Sequence, residues 1–226
     1  MKKLIKTIFL FLLLSTTATS QVNEYGLYVI SDIDIYNEKV AKNDSLELVD
    51  IKKVIPNIRL DIRYATANNF TGEVIYKSPK AYMRKYIAQK LAEVEKALNG
   101  NGLGLKVFDA YRPYAATVKF YEVYEDKTFV ASPKTGSVHN RGAAIDLTII
   151  DLKTGEDLQM PTPFDDFTKK ASHKYNDLPK EALASRLLLK TIMEKYGFIS
   201  YVDEWWHYSF YNWKDYDLMD LSIEEL

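Results

Sequence analysis

At 226 residues, 47% apolar and 27% charged, the chain has material for one domain with an ordinary buried core, and its composition excludes disordered and fibrous classes. Thirty basic side chains against thirty-one acidic ones leave a formal net charge of -1, too little field to gather nucleic acid or anionic lipid. The absence of cysteine excludes disulfides, thiolate metal ligands, a cysteine nucleophile and a lipid anchor on a processed cysteine.

Residues 1–20 stand apart from the rest. Lys2, Lys3 and Lys6 precede the apolar stretch Ile8 to Leu14, and a small polar run from Ser15 to Ser20 follows, the layout of a secretory signal peptide cleaved near Ser20/Gln21. This stretch falls well short of the roughly twenty apolar residues that span a bilayer, so the expectation is a periplasmic or secreted protein with no stable membrane insertion after cleavage. Residues 21–50 are polar and rich in Asn and Asp, which suggests an irregular lead-in to a domain over 51–226.

Within that domain, Ile58, Leu60 and Ile62 alternate with polar partners in a run from Lys53 to Tyr64, which predicts a half-exposed strand ahead of a turn at 68–72. Tyr82, Tyr86, Leu91, Val94 and Leu98 recur at steps of three to five before Asn99-Gly100, which predicts a helix over 81–98. Gly104 to Tyr111 reads as an apolar strand, and Pro113 suits the first turn of a helix to about Tyr124, so Arg112 falls at the junction. Gly142 to Ile150 is an apolar strand interrupted by Asp146, with a turn at 151–155 leading to a further short strand. A helix over about 179–196 stopped by Gly197, then an aromatic strand over 201–213, complete the series. Strands and helices mix without a regular βαβ rhythm. The expected class is α+β, a single compact domain with a central antiparallel-rich sheet and flanking helices.

Histidine is scarce, so each one matters. His139 precedes the Gly142 turn, and Asp146 lies between Ile145 and Leu147, where an unpartnered carboxylate would cost several kcal/mol. Asp146 therefore needs a cation, and a metal is one candidate. With His207 it gives two imidazoles and a carboxylate from separate segments, a ligand set suited to catalytic zinc with one position left for solvent. Glu204 precedes His207 by three residues and would point away from it in a flat strand; a turn there would bring the two together and make Glu204 a general base. Arg112 is a candidate for stabilising a developing oxyanion, although Asp109 is near enough simply to pair with it. Taken singly, each has a plain structural explanation: a satisfied histidine, a surface carboxylate, an aromatic core cluster.

In combination they do not. SVHNRGAAID at 137–146 resembles the S-x-H-x-x-G-x-A-x-D signature, and EWWH at 204–207 the E-x-x-H signature, of the D-Ala-D-Ala dipeptidase family, zinc enzymes known from vancomycin resistance. DIRYATANNFTG at 61–72 and DAYRP at 109–113 are similar to two further blocks in the same order, and the likeness runs from about Val54 to Tyr208. This resemblance implies one zinc ion held by His139, Asp146 and His207, Glu204 as the base activating the attacking water, and Arg112 stabilising the tetrahedral intermediate. It also implies a small pocket bounded by Tyr64, Ser137 and Asp165, with Asp165 the partner of a substrate ammonium. His173 is expected to be structural. The implied substrate is a small dipeptide of the D-Ala-D-Ala type, and export implies turnover or scavenging of wall-derived dipeptides. A D-alanyl-D-alanine carboxypeptidase acting on peptidoglycan stems, and a non-catalytic zinc-containing peptide-binding envelope protein, are the alternatives.

Overall fold

The computed structural model of the protein describes residues 22–226; the expected signal peptide over 1–20 lies outside them. In chain order the elements are β1 (Val29–Ile30), α1 (Ile33–Lys42), β2 (Leu48–Asp50), α2 (Ile51–Val54), β3 (Arg59–Leu60), β4 (Tyr82–Arg84), α3 (Lys85–Asn99), β5 (Leu103–Asp109), α4 (Tyr114–Val123), β6 (Ala144–Asp151), α5 (Lys180–Lys195), β7 (Phe198–Ser200), β8 (His207–Phe210) and β9 (Leu218–Met219). The fold is α+β, as the sequence suggests. Its five-stranded sheet runs β3-β5-β6-β8-β7, antiparallel except for the parallel β3–β5 pair.

Local chemistry explains the main elements. Along α3, Ile87, Ala88, Leu91, Val94 and Leu98 form one buried stripe, and buried Glu95 accepts from the Leu105 N–H at 2.7 Å, tying helix to sheet. Strand β6 is buried over all but its last residue, so the Asp146 carboxylate sits where an aliphatic side chain would be expected. The register sets Asp146 opposite His207 on β8 and opposite Asp109 on β5, where an irregularity between Val107 and Asp109 displaces the pairing. Sheet pairing alone therefore gathers three chemical side chains.

Several expectations change: residues 82–84 of the predicted helix form β4, and the short strand expected after the 151–155 turn is a single bridge between Ile150 and Asp157. The segment expected to be an irregular lead-in contains β1, α1 and β2: Asp32 caps α1 by accepting from the Asp34 and Ile35 N–H groups, β1 pairs with β9, and β2 pairs with β4. The strand expected over 53–64 shrinks to β3, because Asp50 caps the short helix α2 and Pro56, lacking an N–H, follows it. The final strand is limited to β8, preceded by a turn over 201–206 and by the edge strand β7. Among the described residues no helix is long and apolar enough to cross a membrane.

Candidate metal centre and its pocket

The turn carrying His139 is fixed from both ends. The Ser137 hydroxyl accepts from the His139 N–H (3.2 Å) and the Asn140 side-chain oxygen accepts from the Ser137 N–H (2.7 Å), a reciprocal cap. Asn140 also donates to Arg112 O (3.0 Å) and to Thr117 Oγ1 (2.8 Å), while the Arg112 N–H donates to His139 O (3.2 Å). The His139 turn and the β5–α4 corner that bears Arg112 are thus one rigid piece. Gly142, at φ 67°, then swings the chain into β6, and a Cβ there would strike the Leu48 side chain.

His139, Asp146 and His207 meet at one point. His139 Nε2 lies 3.3 Å from Asp146 Oδ1 and 3.1 Å from His207 Nδ1, and His207 Nδ1 lies 3.0 Å from Asp146 Oδ1. Ligands at about 2.0–2.1 Å around a tetrahedral ion stand roughly 3.3–3.4 Å apart, close to these edges. His139 Nδ1 sits 2.6 Å from Ala110 O, a carbonyl that only accepts, so Nδ1 carries the hydrogen and Nε2 faces the centre with its lone pair. His207 offers Nδ1 inward and directs Nε2 to Ser209 Oγ at 3.2 Å. Burial works against the Asp146 carboxylate, but the imidazoles of His139 and His207 outweigh it and hold the carboxyl well below the usual range. Burial likewise opposes a charged His207, and Asp146 reverses that, leaving the imidazole above its ordinary value. Two imidazole nitrogens and an ionised oxygen converging in a buried site fit a divalent cation with nitrogen and oxygen ligands, which would take the place of the proton that His207 Nδ1 shares with Asp146.

Around this triangle lies a cavity of about 440 Å³ whose walls include Tyr64, Arg112, Ser137, Asp165, Glu204 and Trp206. Arg112 is held by Asp109: Nε and Nη2 lie 2.9 and 2.8 Å from Asp109 Oδ2, with Nη2 3.8 Å from Asp146 Oδ2. The pairing with Asp109 that the sequence leaves open is therefore present, and it fixes the guanidinium on the wall of the cavity. Asp109 is itself fully buried and accepts from the Tyr76 hydroxyl at 3.0 Å. Burial would strip charge from Arg112, but Asp109 keeps its guanidinium well above the usual range.

Glu204 stands in the turn before β8, where the His207 N–H donates to Glu204 O at 3.3 Å, so the chain bends and both side chains reach the same cavity. Burial pushes the Glu204 carboxyl up to about 7. Asp165, at φ 61°, is the non-glycine residue with left-handed backbone among those described, and it aims its carboxylate at the Tyr64 hydroxyl, which donates at 3.0 and 3.2 Å. Burial, then the charge of Asp146, raises the Asp165 carboxyl well above its ordinary range. His173 stays outside this cavity, and burial lowers its imidazole to about 4. Ser209, Tyr76 and the Ala110 carbonyl escaped the sequence reading. Ser209 could have been found two residues after His207 on the same strand face, whereas nothing in sequence links Tyr76 to Asp109.

A candidate cation site, a buried carboxyl pushed up to about 7 and a guanidinium share one small cleft, the set of groups a metal-assisted hydrolase uses. Residues 44–219 match the family model of the D-ala-D-ala dipeptidase, peptidase family M15. The chain belongs to that family of peptidases. It is 34% identical over 177 residues to the D-alanyl-D-alanine dipeptidase of Escherichia coli strain K12, covering 78% of this chain and 91% of that one. It is 32% identical over 178 residues to the D-alanyl-D-alanine dipeptidase of Enterococcus faecium, covering 70% and 88% respectively. A solved structure of VanYB in complex with D-alanine-D-alanine aligns with 61% of this chain and 76% of its own at TM-score 0.39 and 16% identity, too remote to carry an argument.

Proposed function

We propose that this peptidase is an exported zinc dipeptidase that hydrolyses D-Ala-D-Ala and similarly small dipeptides in the cell envelope. The observation that carries the reading is the His139, Asp146 and His207 triangle, 3.0–3.3 Å on its edges, with Glu204 and Arg112 on the walls of the same cavity. Relatives named D-alanyl-D-alanine dipeptidase support the choice of substrate. Zinc held by these three residues would supply Lewis-acid polarisation of the scissile carbonyl and the attacking water.

The remaining work falls to the chain. A carboxyl near 7 is basic enough for Glu204 to take a proton from the attacking water and acidic enough to return it to the leaving amine. Arg112 keeps its proton at any working pH, so the guanidinium can hold the charge that grows on the carbonyl oxygen as it is attacked. Asp165, raised by burial, gains by ionising beside a substrate ammonium, with the Tyr64 hydroxyl donating to the same carboxylate. Ser137 orders the His139 turn and borders the space left for substrate.

Purified mature protein is expected to hold about one zinc per chain and to release D-alanine from D-Ala-D-Ala, with loss on chelation and recovery on adding zinc. Absence of release with zinc bound removes the substrate assignment. Equal cleavage of N-acetyl-D-Ala-D-Ala moves the enzyme to the carboxypeptidases. Export rests on the Lys2 to Ser20 pattern and predicts an envelope protein beginning near Gln21; a cytosolic protein retaining residues 1–20 overturns it.

A further inference from the structure

Helix α5 turns a stripe of Ala182, Arg186, Leu189 and Met193 into the interior. An arginine in that stripe requires explanation, since a leucine would fill the same position without desolvating a charge. Arg186 is 6% exposed and has no ion-pair partner among the described residues. Its guanidinium meets only neutral oxygens: Nη1 donates to Ser172 O (2.8 Å) and Tyr175 O (2.7 Å), and Nη2 to Asn176 Oδ1 (3.2 Å). What this arrangement provides is a fixed shape for residues 172–176.

That segment grips the turn that carries Glu204. The Ser172 hydroxyl and the His173 N–H both donate to Val202 O, each at 2.9 Å, and Val202 lies two residues before Glu204 in the turn between β7 and β8. On the other side of Glu204 the chain is already fixed, because Trp206 O accepts from the Leu147 N–H (3.2 Å) and Trp205 Nε1 donates to Thr162 Oγ1 (3.0 Å). The pair of hydrogen bonds accepted by Val202 O is the matching anchor on the side facing α5.

We infer that Arg186 is a positioning residue for Glu204, acting through the Ser172–His173 clamp on Val202. The inference rests on the dipeptidase reading and adds a residue remote from the cavity to its machinery. A displacement of about 1 Å in a reacting group costs on the order of 10²-fold in rate. Release of the clamp should therefore lower kcat and leave substrate binding, made elsewhere in the cavity, nearly unchanged.

The test compares the zinc-loaded full-length mature enzyme with Arg186→Gln, Arg186→Lys and Ser172→Ala, using D-Ala-D-Ala. Arg186→Gln is expected to lower kcat roughly 10- to 100-fold with KM within about twofold, and Arg186→Lys to recover part of the loss. Ser172→Ala, which removes only one hydroxyl, should lower kcat about threefold to tenfold with the same unchanged KM and zinc content. If Arg186→Gln does not fold, Ser172→Ala decides alone. Unchanged kcat in Ser172→Ala, or a fall matched by an equal loss of zinc, overturns the inference. Wild-type enzyme that fails to cleave D-Ala-D-Ala overturns the dipeptidase reading instead, so the two failures are distinct.

Discussion

Asp165→Asn tests how the pocket measures its substrate. The substitution keeps the backbone unstrained, because asparagine tolerates the left-handed conformation that Asp165 adopts at φ 61°. It also retains an oxygen for the Tyr64 hydroxyl, now 3.0 Å from Asp165 Oδ2, so shape and packing persist while the charge disappears. A buried carboxylate and ammonium that lose one partner forfeit about 2–5 kcal/mol. Asp165 is half-buried and opens on the cavity, so the lower part of that range applies, about 2–4 kcal/mol or roughly 30- to 1,000-fold in kcat/KM. The assay measures kcat/KM for D-Ala-D-Ala and its N-acetyl form in both proteins. Wild type should favour the free dipeptide by that factor, and Asp165→Asn should bring the two substrates within a few-fold by losing only the free one. If Asp165→Asn slows both substrates equally, or keeps the wild-type preference, the ammonium is recognised elsewhere.

Glu204→Gln should cut kcat by about 10²- to 10⁴-fold while metal analysis still finds one ion per chain. Because the Glu204 carboxyl, raised to about 7, must be ionised to act, wild-type kcat/KM should fall as pH drops through 7, or somewhat lower once a bound cation favours the anion; a pH profile should lack this limb in the Gln variant. Arg112→Lys preserves charge beside Asp109 but removes the planar fork, and should cost roughly 10²-fold in kcat. Unchanged turnover would leave Arg112 with only its pairing to Asp109. Gly142→Ala places a methyl against Leu48 on a left-handed backbone and should destabilise by about 1–3 kcal/mol in urea unfolding, with weaker metal binding in titration; wild-type stability would refute the geometric argument.

Much of the site was legible because its chemistry breaks local patterns. Asp146 stands out in an apolar strand, and Gly142 marks the turn before it. The bend that lets Glu204 share a cavity with His207 was likewise implied by their three-residue spacing, which a flat strand cannot serve. What stayed hidden depends on distant parts of the chain. Helix α1 has only Tyr36 fully buried, so its apolar spacing was too faint to separate from a loop, and its cap at Asp32 is equally a turn signal. The short strands β1, β2 and β9 exist only through their pairing partners, and Tyr76 acquires meaning only when folding lays it on Asp109. Nothing in the sequence singles out Arg186, whose oxygen partners at residues 172–176 come together only on folding.

The ribbon of β1 and β9 reaches further than its two residue pairs suggest. Leu218 of β9 rests against Gly136, the residue before Ser137, so the tail of the chain underpins the loop that presents His139. Leu221 and Ile223 beyond it are buried, and the Leu221 N–H and carbonyl both meet the Tyr111 hydroxyl at 2.9 Å, one residue from Arg112. A nick near residue 217 would spare every side chain of the proposed site yet loosen the support beneath the His139 turn and the Arg112 corner. Proteolysis there should register first as a slackened grip on the ion.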